Sequence, residues 1–190
     1  MEGYVVMDNS GFSSFEELVN HNRINLLKIP EQSFDSLREI DNLIYYITRS
    51  RKNDKERNDL ISYGARGLEI GQNVSIAVKQ WKYVQQAYKM RGKKFGRRCY
   101  HEIYCLNNEF SRKIDRSKLD ELGYELSEEY WGKGHQVVYG IHQPDKHEKR
   151  IHIHFAVNTV CLKTGKKWHD WFGSREIRNQ KFDTIARNYL

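Results

Sequence analysis

Cysteine and long apolar segments are scarce in this 190-residue chain, and each scarcity excludes a class of protein. Its 3 cysteines are an odd number without CxxC spacing, which indicates a reducing cytoplasm rather than a disulfide-linked protein. No segment approaches the roughly 18 apolar residues of a membrane-spanning helix, and the N-terminus lacks the basic and apolar regions of a secretory signal. The sequence therefore predicts a cytoplasmic chain with one domain and a hydrophobic core.

Acidic residues are absent from segment 79–98, which contains eight basic residues in a chain of net charge +7. Trp81, Tyr83 and Tyr88 lie among the basic residues. Because basic side chains pair with phosphates and aromatic rings stack on unpaired bases, the segment favours single-stranded nucleic acid as a partner. The alternative is a solvent-exposed helix face whose aromatic residues belong to the core. The basic residues are Lys79, Lys82, Lys89, Arg91, Lys93, Lys94, Arg97 and Arg98.

Helical and strand patterns alternate along the chain, without internal repeats. Ser36 and Glu39 have capping-box spacing, and apolar residues then recur at helical period to about Thr48. Hairpin-like connections between strands predict an α+β fold, with a central antiparallel sheet flanked by helices. The other predicted elements are helices at 15–20, 73–90, 116–131 and 174–190, strands at 3–8, 24–29, 97–106, 136–142 and 151–158, and a loop at 49–59.

Two histidines lie close together in segment 151–158, where apolar residues alternate as in a β-strand. Successive side chains on a strand point to opposite faces, so His152 and His154 share one face, about 7 Å apart along the backbone. Burying both imidazoles costs free energy unless they are paired or bound to metal. His142 ends the preceding strand, and turn 143–150 makes the two strands a hairpin. The pattern predicts a three-histidine site for a divalent metal, with a solvent-exposed strand face as the alternative.

A histidine-bound cation beside a basic, aromatic segment suggests phosphodiester chemistry, because the cation can polarise a phosphoryl oxygen and offset charge in the transition state. The reaction then needs a nucleophile, either water or a side chain. Tyr45 and Tyr46 are candidates because a phenol can attack phosphorus and leave a phosphotyrosine. Adjacent positions on a helix point about 100° apart, so both cannot face the metal. The alternative is that these tyrosines serve only in packing.

Four segments resemble, in the same order, the motifs of relaxases, the HUH-type single-strand endonucleases of conjugative and mobilisable elements. The similarity is greatest to the P-type mobilisation branch. Segment 43–48, Leu-Ile-Tyr-Tyr-Ile-Thr, resembles the motif that carries the nucleophile and aligns it with Tyr46. Segment 100–106 resembles the second motif, segment 142–158 the third, His-x-Asp…His-x-His…Asn, and segment 163–169 the Lys-Thr-Gly-Lys-Lys turn.

The resemblance implies the HUH relaxase fold over residues 31–190 of a longer bacterial cytoplasmic protein, with residues 1–30 as an extension packed on the domain. The implied activity is strand-specific nicking at an origin of transfer on a plasmid or integrative element. Tyr46 would form a 5′-phosphotyrosyl link, with Tyr45 as the second candidate. The implied metal is Mn²⁺ or Mg²⁺ on His142, His152 and His154, although three imidazoles by themselves favour Zn²⁺, Ni²⁺ or Co²⁺.

Other residues are expected to assist this chemistry. Asn158 would hold a ligand or contact the phosphate, while Glu102 and Asp145 would orient a histidine N–H or take the tyrosine proton, unless both are surface charges. The chain also departs from the family pattern. Cys105 replaces the usual serine, and Asp145 follows His142 by three residues rather than two. His147 is an alternative third metal ligand, but its place in the polar turn predicts that it faces solvent.

The remaining expectations concern DNA and the alternatives in function. Single-stranded or supercoiled DNA is the expected partner, alongside other proteins of a transfer complex, and segment 49–57 is a further candidate for phosphate contacts. The alternatives are an initiator of rolling-circle replication with the same chemistry, a metal-dependent nuclease that uses activated water, and a non-catalytic DNA-binding module. The expected DNA-binding residues are Lys79, Lys82, Arg91, Lys93, Lys94, Arg97, Arg98, Lys166, Lys167, Arg175 and Arg178.

Overall fold

One antiparallel sheet carries the fold in the computed structural model, which describes residues 25–30, 34–51, 58–71, 73–89, 95–144, 150–171 and 173–190. Its strand order is β1-β3-β5-β4-β2. The strands are β1 (Leu26–Lys28), β2 (Leu60–Arg66), β3 (Cys99–Cys105), β4 (His135–His142) and β5 (His152–Cys161). The helices are α1 (Leu37–Ile47), α2 (Val74–Lys89), α3 (Asn108–Lys113), α4 (Leu119–Trp131) and α5 (Ser174–Arg187). The predicted α+β class is confirmed.

The sheet separates two apolar layers, because side chains on its strands alternate between faces. On one face Phe155 of β5 packs against Tyr130 of α4 and Phe182 of α5. On the opposite face Val138 of β4 clusters with Ile44 of α1. The central strands β4 and β5 are therefore buried on both sides, and the second face is the one that also carries the histidines.

Helix α1 begins and faces the sheet for reasons that are local in the sequence. The Ser36 hydroxyl accepts a hydrogen bond from the Glu39 N–H at 3.2 Å, and the Glu39 carboxylate accepts one from the Ser36 N–H at 2.7 Å. This is the predicted capping box. The helix ends after Ile47, where the Thr48 hydroxyl donates to the carbonyl oxygen of Ile44 at 2.8 Å. Its buried residues recur at helical period and are Ile40, Leu43, Ile44 and Ile47.

Gly140 allows the C-terminal end of α1 to approach strand β4. A Cβ atom at this position would lie 2.1 Å from the carbonyl oxygen of Ile47, which is closer than real Cβ contacts. Across the β4–β5 ladder Gly140 pairs with His154. The missing side chain therefore brings the end of α1 close to the histidines of the sheet.

The sequence patterns predict neither the short helix α3 nor strand β2. All its residues are only partly buried, as expected of an edge strand, so its apolar residues show no clear alternation. Gly64 also interrupts it, and a Cβ atom there would lie 2.4 Å from the hydroxyl of Tyr139. The predicted strand at 3–8 and helix at 15–20 lie outside the described residues. Among the described helices none is long and apolar enough to cross a membrane.

Candidate metal centre and active site

Strands β4 and β5 bring three buried histidines together on one face of the sheet. His142 pairs with His152 across the ladder, and His154 follows two residues along β5. Their ligand nitrogen atoms all lie within 4.8 Å of one another. The ring centroids of His142 and His154 are 4.6 Å apart, and those of His152 and His154 are 4.9 Å apart. The hairpin that the sequence predicts thus produces a cluster with the donor set of a metal site.

A fourth histidine, His101 on β3, orients His154. The Nε2 atom of His101 lies 2.9 Å from Nδ1 of His154, and the rings stack with centroids 5.1 Å apart. The other ring nitrogen of His154, Nε2, is buried and has no hydrogen-bond partner in the described part of the chain. A buried polar atom without a partner is costly, so this nitrogen fits a metal ligand.

Backbone carbonyl groups fix the rings of the other two histidines. Nδ1 of His152 lies 2.9 Å from the carbonyl oxygen of Arg150 and donates to it. Its lone pair is therefore on Nε2. Nε2 of His142 lies 2.8 Å from the carbonyl oxygen of Ile47, at the end of α1, and Nδ1 lies 3.1 Å from Nη2 of Arg49. Hydrogen bonds of this kind select one tautomer, as in metal sites whose ligands donate to carbonyl groups.

Three of these four histidines are held in the neutral form, which is the form that binds metal. Burial, followed by the charge of His142, lowers the pKa of His101 from 6.5 to about 4. Burial, opposed by the hydrogen bond to Ile47 and assisted by Arg49, also lowers the pKa of His142 to about 4. Burial and the neighbouring histidines hold the pKa of His154 well below its usual value. The residues present therefore fit a divalent cation bound by imidazole nitrogen.

The structure places Tyr46 at the cluster and Tyr45 away from it. The ring of Tyr46 lies edge-on to His142 and His154, with centroid distances of 6.1 and 5.6 Å, and its exposed fraction is 36%. Tyr45 packs against the apolar cluster under α1. The two side chains diverge as adjacent helical positions must, so only Tyr46 could reach both the histidines and a bound substrate.

The structure contradicts the catalytic role predicted for Glu102 and the phosphate contact predicted for Arg178. In the β3–β5 ladder Glu102 pairs with Phe155, so it points to the face opposite the histidines. There its carboxylate accepts hydrogen bonds from Arg178 at 2.6 Å and from the Tyr130 hydroxyl at 2.7 Å. Glu102 and Arg178 are each 1% exposed. They form a buried ion pair that joins α5 to the sheet.

Asn158 shares the histidine face, but its hydrogen bonds are used elsewhere. Its side-chain oxygen accepts from Gln85 of α2 at 3.0 Å and from the Val160 N–H at 3.0 Å. Its amide donates to Gln136 at 2.9 Å. Asn158 also lies four residues from His154, roughly 13 Å along the strand. Both predicted roles, ligand support and phosphate contact, are therefore contradicted, because this buried amide instead ties α2 to the sheet.

The remaining predicted site residues fall into three groups. Lys79, Lys166 and Arg175 are exposed. The second group is partly buried or paired within the protein. Lys82 forms an ion pair with Asp41 at 2.6 Å, and Lys167 donates to backbone carbonyl groups. Arg97 and Arg98 are partly buried. A third group lies outside the described residues and comprises Arg91, Lys93, Lys94, Asp145 and His147.

Sequence reasoning assigned no role to His101 and gave Arg49 only a phosphate contact. His101 and Glu102 are adjacent on β3, so their side chains point to opposite faces of the sheet. Which of the two lies beside the histidines of β5 depends on the strand register, which the sequence does not show. Arg49 is buried, so it does not form the phosphate contact expected for segment 49–57.

Comparisons with known proteins agree with this geometry. The family model described as relaxase, MobA/VirD2-like, nuclease domain matches residues 46–189. The chain is 25% identical over 138 residues to Protein rlx of Staphylococcus aureus, covering 72% of this chain but only 42% of that relative's length. A solved structure from work on the molecular basis of vancomycin resistance transfer in Staphylococcus aureus shares the fold, with a TM-score of 0.58, 13% identity and coverage of 88% of this chain and 92% of the other. The chain belongs to the MobA/VirD2-like relaxases and carries their nuclease domain.

Proposed function

We propose that this chain nicks one strand of DNA at an origin of transfer and that Tyr46 is the nucleophile. The observation that carries the proposal is the position of Tyr46, whose partly exposed ring lies edge-on to His142 and His154. Membership of a nuclease-domain family supports DNA as the substrate. The packing of Tyr45 under α1 favours Tyr46 over its neighbour.

The proposed reaction is a transesterification. The phenolic oxygen of Tyr46 attacks the scissile phosphorus and loses its proton, while the bond from phosphorus to the 3′-oxygen breaks and that oxygen takes up a proton. The products are a 5′-phosphotyrosyl link and a free 3′-hydroxyl. One phosphate ester replaces another, so the reaction needs no nucleotide cofactor and the 3′-hydroxyl can reverse it.

His142, His152 and His154 are the proposed ligands of a divalent cation, Mn²⁺ or Mg²⁺. When bound, the cation would polarise a phosphoryl oxygen and offset negative charge in the transition state. The protein contributes three imidazoles in fixed orientations, and the buried Nε2 atom of His154 supports this assignment.

The proposed DNA surface consists of exposed basic residues with one exposed aromatic ring. Lys79, Lys166 and Arg175 are solvent-exposed and can pair with phosphates. Tyr83 of α2 is 72% exposed and can stack on an unpaired base. Other transfer proteins remain proposed partners on the strength of the family alone.

Covalent capture tests the proposal. Single-stranded oligonucleotides that tile the DNA beside the gene are incubated with the protein in Mn²⁺ or in chelator and separated on a denaturing gel. We expect a metal-dependent protein–DNA adduct that Tyr46→Phe abolishes and that Tyr45→Phe retains. The Tyr45 variant is the matched control, because it removes the same hydroxyl from the adjacent residue.

Two other results would contradict parts of this proposal. Loss of the adduct only in Tyr45→Phe would move the nucleophile by one residue. Cleavage without an adduct, unaffected by either substitution, would exclude the tyrosine mechanism and leave metal-activated water.

A further inference from the structure

Arg49 is buried at the C-terminal end of α1, between the candidate nucleophile and the candidate metal site. It is 5% exposed, and its φ of 48° makes it the one non-glycine residue with a left-handed backbone among those that the structure describes. Such a backbone is unfavourable for a non-glycine residue, because the Cβ atom lies too close to the following carbonyl oxygen. Glycine would adopt this backbone without strain. The presence of arginine at this position therefore indicates that its side chain has a role.

The guanidinium group of Arg49 connects three elements of the site. It forms two bonds with Asp59, just before β2, from Nε at 2.9 Å and from Nη2 at 2.6 Å. Nη1 donates to the carbonyl oxygen of Tyr46 at 2.8 Å, and Cζ lies 4.4 Å from the centroid of the Tyr46 ring. Nη2 also lies 3.1 Å from Nδ1 of His142. Arg49 is therefore held in place by Asp59 independently of His142.

The contact between Arg49 and His142 fixes the tautomer of the histidine. Arginine only donates hydrogen bonds and does not lose its proton in proteins, so Nδ1 of His142 must accept. Nε2 then carries the proton and donates to the carbonyl oxygen of Ile47. The only lone pair of the imidazole ring is thus on Nδ1, and Arg49 occupies it. A metal ion needs the same lone pair.

We propose that Arg49 and the divalent cation exchange at Nδ1 of His142, so that Arg49 is a positioning residue that holds the site ready when metal is absent. The inference rests on the metal site of the proposed function. When the cation binds, the guanidinium keeps its bonds to Asp59 and to the Tyr46 carbonyl and gives up His142. Arg49 then acts on the reaction through its bond to the Tyr46 carbonyl oxygen, which holds the proposed nucleophile in place.

The exchange predicts opposite changes in metal affinity and in nicking rate when Arg49 is altered. Lysine keeps the positive charge, but its single nitrogen cannot span Asp59, the Tyr46 carbonyl and His142 as the planar guanidinium does. Without the competing donor the metal should bind Arg49→Lys about tenfold more tightly, as expected for one hydrogen bond from a charged group. The adduct should form more slowly at saturating metal. General damage to the site would lower both quantities.

Calorimetric titration of the metal-free chain with Mn²⁺ tests the exchange. Arg66→Lys is the matched control, because Arg66 also combines an ion pair, to Glu128 at 2.7 Å, with an aromatic ring, that of Tyr124 at 3.6 Å. We expect tighter binding only in Arg49→Lys, and equal or weaker binding in a folded variant would overturn the inference. If Arg49→Lys does not fold, the double variant Arg49→Met/Asp59→Asn removes the pair without changing net charge and should also bind Mn²⁺ more tightly.

Nitrogen NMR of the histidines tests the same inference without any DNA. In the metal-free chain His142 should carry its proton on Nε2, and added Zn²⁺ should shift Nδ1. A Zn²⁺-dependent shift at Nε2 instead would overturn the exchange. Both measurements use metal alone, so they remain decisive if no origin oligonucleotide is cleaved, and the failure of the proposed nicking is distinguishable from failure of the exchange.

Discussion

The Nε2 atom of His101 lies 2.9 Å from Nδ1 of His154, and this contact decides which nitrogen of His154 can bind metal. For Nε2 of His154 to be the ligand, Nδ1 must carry the proton and donate to His101. His101 must then accept on Nε2. His101 on β3 and His154 on β5 must therefore both be neutral. Burial favours this form, because it lowers the pKa of each residue.

Replacing His101 should weaken metal binding without removing a ligand. His101→Phe keeps a stacked ring but loses the acceptor, and we expect metal affinity to fall roughly 10- to 100-fold, as for other groups that orient a ligand. His101→Gln, whose amide oxygen can accept, should recover part of the affinity. Calorimetry with Mn²⁺ measures the change.

His135→Gln is the matched control, because His135 is also buried and bonded to a carbonyl group, that of Asn158, but lies outside the cluster. If His101→Phe bound Mn²⁺ as tightly as the unmodified chain, His101 would not orient His154.

The metal-free chain should lose stability as the pH falls below 6.5. His101 and His142 have native pKa values of about 4, below the ordinary value of 6.5, so the unfolded chain binds protons that the native chain does not. Each such histidine lowers the free energy of unfolding by about 1.4 kcal/mol per pH unit in this range. Urea unfolding in chelator at pH 7, 6 and 5 measures the slope.

His101→Phe removes one of these groups and should make the slope smaller by one proton. An identical slope in that variant would contradict this account, because it would mean that His101 binds protons equally in the native and unfolded chains.

The buried pair of Glu102 and Arg178 should contribute to stability and not to DNA binding. Arg178→Met leaves the Glu102 carboxylate buried without its partner, which costs about 3–5 kcal/mol. Arg175→Met, one turn away on the exposed side of α5, should leave stability unchanged but reduce the salt dependence of DNA binding by about one phosphate contact.

Urea unfolding and binding to a single-stranded oligonucleotide at several salt concentrations separate the two effects. If Arg178→Met kept full stability and reduced the salt dependence of DNA binding, the result would support the phosphate contact that the sequence predicts for Arg178.

A side chain at position 140 should displace α1. Gly140→Ala places a Cβ atom 2.1 Å from the carbonyl oxygen of Ile47, so the helix end must shift, at a cost of about 1–3 kcal/mol in stability. The adduct should form more slowly, because Tyr46 moves with the helix. Gly71→Ala is the control, since its Cβ atom would meet nothing within 4 Å. Equal stability and equal adduct rates in the two variants would contradict this account.

The local part of the site could be predicted from sequence. Alternation along β5 placed His152 and His154 on one face, and a hairpin of ordinary length placed His142 beside them. The helical period also separated Tyr45 from Tyr46. Each of these predictions needed only neighbouring residues and the geometry of one element.

The long-range part could not be predicted, because it depends on register and on helix packing. Glu102 and His101 are adjacent in β3, yet only the pairing of β3 with β5 shows which of them faces the histidines. Asn158 lies on the expected face, but Gln85, from a distant helix, uses its amide. Arg49 belongs to a charged segment of the sequence, and only the fold shows that it is buried against Asp59.

The hydrogen bond between His142 and the carbonyl oxygen of Ile47 joins residues that are 95 positions apart in the chain. The histidines of the hairpin, by contrast, come together across a short turn. Contacts close in sequence cost little loop entropy and form early in folding, whereas distant ones form late. We therefore expect the hairpin to bring its imidazoles together first and α1 to dock afterwards, so that Tyr46, the proposed nucleophile, reaches the site last.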